Sequence, residues 1–91
     1  MANHKSALKE HRQSRVRRDR NRDHRARVRT ALKKCRQAID AGDLDTARGL
    51  LDPTLSLVDR TAKLGAMHDN AAARTKSRLT RAVNRLAASA G

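Results

Sequence analysis

The sequence predicts an all-α protein: a three-helix bundle with an elongated, highly basic first helix that projects beyond the bundle. Three observations lead to this prediction. Residues 5–41 contain no Gly or Pro and are rich in Arg, Ala, Lys and Gln, which favour helices. Apolar residues recur every three or four positions in three successive segments. Gly42 and Gly65 separate these segments, at positions typical of glycines that cap helix C-termini.

The first predicted helix, about residues 5–41, has an apolar stripe only in its C-terminal part. Its members are Val28, Leu32, Cys35 and Ile39. Ahead of this stripe the apolar residues are too sparse to form a packed face. We therefore expect a basic arm, residues 1–27, that is continuous with the first helix, and a three-helix bundle, residues 28–91. The five arginines between Arg15 and Arg22 point in nearly every direction if the arm is helical.

The second and third helices are predicted over about residues 44–64 and 67–88. Asp43 is the expected N-cap of the second helix. Pro53 lies inside that helix, so either the helix kinks there or Asp52 caps a new segment. The stripe of the second helix is Leu44, Ala47, Leu51, Leu55, Val58 and Ala62, and that of the third is Ala72, Leu79, Val83 and Leu86.

The charge distribution points to a polyanionic partner. The 91 residues include 22 Lys or Arg and 9 Asp or Glu, for a formal net charge of +13. Residues 1–36 hold fourteen of the basic residues and three acidic ones, whereas residues 40–59 hold five Asp and one Arg. Such crowding of like charge destabilises a free chain and is relieved by phosphates. Because Phe, Tyr and Trp are absent, binding by stacking bases on aromatic side chains is excluded.

Several other classes of protein are disfavoured. The single Cys35 forms no intramolecular disulfide and is most simply a small core residue. The four histidines lack metal-ligand spacing, so neither a metal nor a cofactor is expected. The chain shows no Ser-His-Asp set, Gly-rich phosphate loop or Cys-X-X-Cys, so no enzymatic activity is expected. No apolar run approaches the ~20 residues of a membrane span, and we expect neither a membrane partner nor a secretory signal.

Short motifs along the whole chain resemble the family of bacterial small-subunit ribosomal protein number twenty. In the first half they are Met1-Ala2-Asn3-x-Lys5-Ser6-Ala7, Gln13-Ser14, Arg29-Thr30, Lys33-Lys34 and Ala41-Gly42-Asp43. In the second half they are Val58-Asp59-Arg60, Gly65, His68-x-Asn70-x-Ala72-Ala73-Arg74-x-Lys76 and Leu79-Thr80. Two positions depart from the family pattern: Leu8 stands where a basic residue is usual, and Pro53 lies about one turn from the expected proline.

The resemblance implies a structural constituent of the small ribosomal subunit that binds 16S ribosomal RNA directly and supports early subunit assembly. The expected partners are the small subunit, the 5′ domain of that RNA and the lower part of its penultimate helix, with the protein a monomer within the particle. The expected location is cytoplasmic and ribosome-bound. RNA contacts carried over from the family motifs are Asn3, Lys5, Ser6, Lys9, Ser14, Arg18, Arg25, Arg29, Lys33, Lys34, His68, Asn70, Arg74, Lys76, Ser77 and Arg78. Basic residues of the arm and of the third helix add Arg12, Arg15, Arg17, Arg22 and Arg81.

Three alternatives remain at this stage. A nucleoid-type DNA-binding protein would share the charge, although the chain lacks aromatic wedge residues. A helix lying on a membrane surface would need an apolar face that the arm does not have. A bundle that binds another protein through the acidic second helix is a possible secondary role. Equal affinity for duplex DNA and ribosomal RNA would favour the first alternative, and vesicle binding that persists at high salt would favour the second.

Overall fold

The computed structural model describes the backbone of residues 2–90 and the side chains of residues 7–89, and this part of the chain is entirely helical apart from two connections. The three helices are α1 (Ala2–Asp40), α2 (Leu44–Lys63) and α3 (Asp69–Ala90). The molecule measures 70 × 20 × 14 Å along its principal axes. The predicted fold class is confirmed, with an elongated first helix.

Both connections between helices begin with the same glycine-dependent cap. Gly42 and Gly65 have positive φ values of 73° and 79°, which side-chain-bearing residues adopt only at a cost. At the end of α1, the Gly42 N–H donates to Ile39 O and the Asp43 N–H to Ala38 O. The Gly65 and Ala66 N–H groups make the equivalent pair of bonds at the end of α2. These paired bonds satisfy the last helical carbonyls, so the two predicted helix ends are confirmed.

Asp43 caps the N-terminus of α2, as predicted. Its carboxylate accepts hydrogen bonds from the Thr46 N–H at 3.2 Å and from the Thr46 hydroxyl at 2.6 Å. The hydroxyl bond, followed by the backbone bond, lowers the pKa of Asp43 below its ordinary value of 3.8. Both bonds favour the ionised carboxylate, since it is the stronger acceptor.

Replacing Asp43 with alanine is expected to lower the melting temperature at neutral pH. Because the folded-state pKa is depressed, the stabilisation is fully present above the ordinary pKa and is lost as the pH falls through the folded-state value. The gap between wild type and Asp43→Ala, measured by circular dichroism melting, should therefore narrow in strong acid. A gap that is constant with pH would show that the ionised carboxylate does not stabilise the fold.

α2 passes through Pro53 without ending. Of the two alternatives left by the sequence, a new segment capped by Asp52 is therefore wrong. A proline ring meets the carbonyl of the residue four positions earlier, and it supplies no N–H to that carbonyl. Here that residue is Gly49, which is exposed, so water can reach the carbonyl that Pro53 leaves without a donor.

The core follows the predicted stripes closely and adds residues that the stripes do not contain. Its buried apolar members include Val28, Cys35 and Leu79. α2 packs most extensively against α1 and next against α3, whereas α1 and α3 touch each other least. Two buried threonines of α2 interrupt the apolar pattern: Thr54 donates its hydroxyl to Leu50 O at 2.6 Å and Thr61 to Leu57 O at 2.7 Å. A threonine that bonds its own helix in this way can enter a core at little cost.

The N-terminal half of α1 takes little part in this core. Side chains 7–20 are all exposed, Asn21 is the first that is half-buried and Val28 is the first that is buried. Among the described residues, none of the three helices is both long and apolar enough to cross a membrane. Because every side chain from residue 7 to residue 20 is exposed, the basic half of α1 is open to its surroundings on all sides.

Candidate nucleic-acid interface

Seven cationic side chains form one continuous line along α1. They succeed one another at steps of three or four residues, so they share one side of a helix with 3.6 residues per turn. All seven are exposed, and Asp19 lies beside the line, paired with Arg22 at 3.6 Å. It extends about 32 Å at 1.5 Å per residue. We call this set the α1 stripe; its members are Arg15, Arg18, Arg22, Arg25, Arg29, Lys33 and Arg36.

Four arginines form a second line on α3. They follow one another at steps of four, three and four residues, and each is exposed. The buried residues Ala72, Leu79 and Val83 lie on the opposite side of the same helix. No acidic residue follows Asp69 in the chain. We call this set the α3 stripe; its members are Arg74, Arg78, Arg81 and Arg85.

Both stripes cost the free protein stability. Like charges three or four residues apart on a helix repel each other by roughly 0.2–0.5 kcal/mol per pair. Counter-charges are few: within the described side chains, the ion pairs are Arg22–Asp19 at 3.6 Å and Lys76–Asp59 at 2.7 Å. Most of the cations therefore have no protein partner, and a ligand with closely spaced negative charges would offset their repulsion.

Arg25 also has a structural role. Its Nη1 donates to Ala66 O at 3.4 Å, across the connection between α2 and α3. One guanidinium carries five N–H donors, so this bond leaves the others free for an anion. Arg25 thus ties the α1 stripe to the connection between α2 and α3.

His68 caps the N-terminus of α3. Its Nδ1 accepts the Asn70 N–H at 3.1 Å, and its backbone carbonyl accepts the Ala72 N–H at 2.9 Å. Because Nδ1 acts as an acceptor, the proton of the neutral ring is on Nε2. The ring is exposed, so this Nε2–H can donate to a phosphate near the positive end of the helix dipole.

The predicted contacts fall into five groups. Six lie on the α1 stripe, and three, namely Arg74, Arg78 and Arg81, lie on the α3 stripe. Lys76 is paired with Asp59 and stands only partly exposed, so it is the predicted cation that is least free. The side chains of Asn3, Lys5 and Ser6 lie outside the described ones. The remaining predicted contacts are exposed: Lys9, Arg12, Ser14, Arg17 and Lys34 elsewhere on α1, His68 just before α3, and Asn70 and Ser77 on α3.

The alignment of the cations along one side of each helix was not predicted from the sequence. The arm arginines were expected to point in nearly every direction, and Arg17 and Arg20 do lie off the α1 stripe. Arg15, Arg18 and Arg22, however, fall into line with the cations that follow Val28, because α1 continues unbroken across that boundary. Following the three- and four-residue steps past residue 27 would have revealed the stripe. It adds Arg36, and the α3 stripe adds Arg85, to the set of candidate contacts.

The structure gives little support for a reactive cysteine or a metal site. Burial raises the pKa of the Cys35 thiol, and the nearby Arg36 only partly opposes this effect, so Cys35 is an inert core residue. Among the described residues, no three His, Cys, Asp or Glu side chains are grouped as metal ligands would be.

Comparison with known proteins identifies close relatives over nearly the whole chain. Residues 2–84 match the family described as "Ribosomal protein S20". The "Small ribosomal subunit protein bS20" of Desulfovibrio desulfuricans is 50% identical over 88 residues, covering 97% of this chain and 99% of the relative. The protein of the same name from Magnetococcus marinus is 47% identical over 90 residues, covering 99% of this chain and 98% of the relative. That of Desulfatibacillum aliphaticivorans is 44% identical over 87 residues, covering 96% and 99%.

Proposed function

The chain belongs to the ribosomal protein S20 family of small-subunit structural proteins, and we propose that it binds 16S ribosomal RNA directly through the α1 and α3 stripes. Membership of this family agrees with the expectation that the protein is not an enzyme. The single observation that carries the proposal is the α1 stripe, an exposed line of seven cations of which only Arg22 has an acidic partner among the described side chains. Guanidinium groups pair with phosphate oxygens in bidentate fashion, so the stripe suits an RNA backbone.

The two stripes support a bridging role. The α3 stripe faces away from the core, and the α1 stripe runs along a different helix that touches α3 little. Each stripe can therefore contact its own RNA segment. We assign these segments to the 5′ domain and to the lower part of the penultimate helix, as the family resemblance implies. By neutralising phosphates where the two segments converge, the protein would lower the cost of holding them together early in assembly.

Recognition would depend on backbone contacts and RNA shape. The chain has no aromatic side chain on which bases could stack. Phosphate contacts fix the position and orientation of a bound protein, while sequence information comes from the shape of the folded RNA. The large exposed apolar side chains among the described residues, Leu8, Val16 and Leu64, are scattered rather than grouped. Their scatter favours a monomer within the particle. Membership of the family supports a protein bound to ribosomes in the cytoplasm.

Competition between nucleic acids tests this proposal against the nucleoid alternative. Full-length protein bound to labelled 16S ribosomal RNA is challenged with unlabelled duplex DNA or unlabelled 16S RNA at 0.15 M salt. Charge alone does not distinguish the two polyanions. If the protein recognises the shape of the folded RNA, displacing the labelled RNA as fully as unlabelled 16S RNA does should need at least a ~100-fold excess of DNA phosphate. Equal displacement per phosphate would instead indicate a general DNA-binding protein.

A further inference from the structure

A groove of about 460 Å³ lies between α1 and α2, on a side of α1 away from the α1 stripe. Its floor is apolar, with Ala31, Leu50 and Leu57 half-buried and Pro53 exposed. Thr30 and Lys34 belong to the family motifs, and Lys34 is already a predicted contact, but the motifs and the two stripes do not account for the apolar floor. Its volume lies within the range of sites that hold small organic groups.

The rim of the groove is cationic. Arg27 and Lys34 line it from α1, and no acidic residue contributes to its lining. Seven residues, or two helical turns, separate the two cations by about 10 Å along the axis. They therefore frame the groove from both ends rather than share one anion. Neither belongs to the α1 stripe, so an anion held here is additional to those that the stripe pairs with.

The groove also offers a hydrogen-bond acceptor. The Thr30 hydroxyl lines it and donates its proton to Ala26 O at 3.0 Å. Because that proton is engaged, the exposed hydroxyl oxygen presents its lone pairs to a ligand. A ligand that fits would combine a flat apolar surface, a hydroxyl or amino donor, and a negative charge at either end.

We propose that the groove binds one unstacked ribonucleotide of the 16S ribosomal RNA. The base lies against Leu50, Pro53 and Leu57, and its flanking phosphates pair with Arg27 and Lys34. The ribose 2′-hydroxyl is a donor suited to the Thr30 oxygen, a contact that DNA cannot make. This inference rests on the proposed function and gives it a base-binding contact in addition to the backbone contacts of the stripes. An acidic peptide is the other occupant that the charges would allow.

Filling the groove tests the proposal. Ala26→Leu and Thr30→Leu, combined in one protein, place two larger side chains in the groove at exposed helical positions. Gln37→Leu is the matched control, an exposed position of α1 that lines neither the groove nor a stripe. Affinity of the full chain for 16S ribosomal RNA is measured across a range of salt concentrations, and circular dichroism checks folding. The filled variant should bind about tenfold more weakly, and its salt slope should flatten by about 1–2, because expelling the nucleotide also releases the two phosphates paired with Arg27 and Lys34.

A second variant keeps the test decisive if the double variant is less stable. Thr30→Val preserves shape and removes the acceptor, and it should weaken RNA binding about threefold while leaving binding to the 2′-deoxy form of the same strand unchanged. Wild-type affinity for the RNA in both groove variants would overturn the inference. It is also the result expected if the groove binds an acidic peptide instead of RNA. That outcome leaves the proposed function standing, since only absent or salt-independent binding by the wild-type protein contradicts direct RNA binding.

Discussion

Replacing Arg18, Arg29 and Lys33 with glutamine is expected to weaken binding to 16S ribosomal RNA by about a hundredfold at 0.15 M salt. Each phosphate contact contributes roughly 0.7–0.9 to the slope of log affinity against log salt concentration, so three lost contacts should flatten the slope by about 2–3. Arg25 is left intact because its hydrogen bond to Ala66 O also supports the fold. The measurement is a filter-binding titration at several salt concentrations.

The matched control removes the same charge from another surface. Arg48, Arg60 and Lys63 are exposed on α2, outside both stripes. Their replacement by glutamine should change affinity and slope much less, because the effect of a phosphate contact depends on where the cation lies. Equal losses in the two triple variants would show that net charge, rather than the α1 stripe, determines binding.

Replacing Leu79 with alanine is expected to reduce the free energy of unfolding by about 2–4 kcal/mol. Leu79 is 4% exposed and anchors α3 in a core that contains no aromatic side chain. Small domains have only a few kcal/mol of stability to lose, so much of the protein should be unfolded near physiological temperature. Urea denaturation followed by circular dichroism measures the change.

Leu64, which is 40% exposed in the connection after α2, provides the control for this prediction. Its replacement by alanine removes the same atoms from a position where they are largely hydrated already, so we expect a loss below about 1 kcal/mol. If Leu79→Ala costs no more than Leu64→Ala, then α3 is not held by the core described above.

Periodicity and glycine positions were sufficient to predict the helices and most of the core. Val28, Leu32 and Cys35 were identified because a four–three step on a long helix has one simple explanation. Thr54 and Thr61 could not be identified in this way. Their burial depends on hydroxyl bonds to carbonyls four residues earlier, and hydropathy patterns do not contain that information.

The candidate interface was predicted in part. Residue types and family motifs selected cations on α1 and α3, but the alignment of those cations depends on α1 remaining one helix through residue 40. The pairing of Lys76 with Asp59 joins residues 17 apart in sequence, so it needed the packing of α3 against α2. The groove likewise exists only because α2 lies against α1.

Hydroxyl-radical footprinting of full-length 16S ribosomal RNA tests the central claim most directly, because it reports which riboses a bound protein shields. We predict protection in two separate RNA segments. One should be lost when Arg18, Arg29 and Lys33 become glutamine, and the other when Arg74, Arg78 and Arg85 do. Protection confined to a single segment, or protection that both triple variants leave intact, would contradict the bridging of two RNA segments by the α1 and α3 stripes.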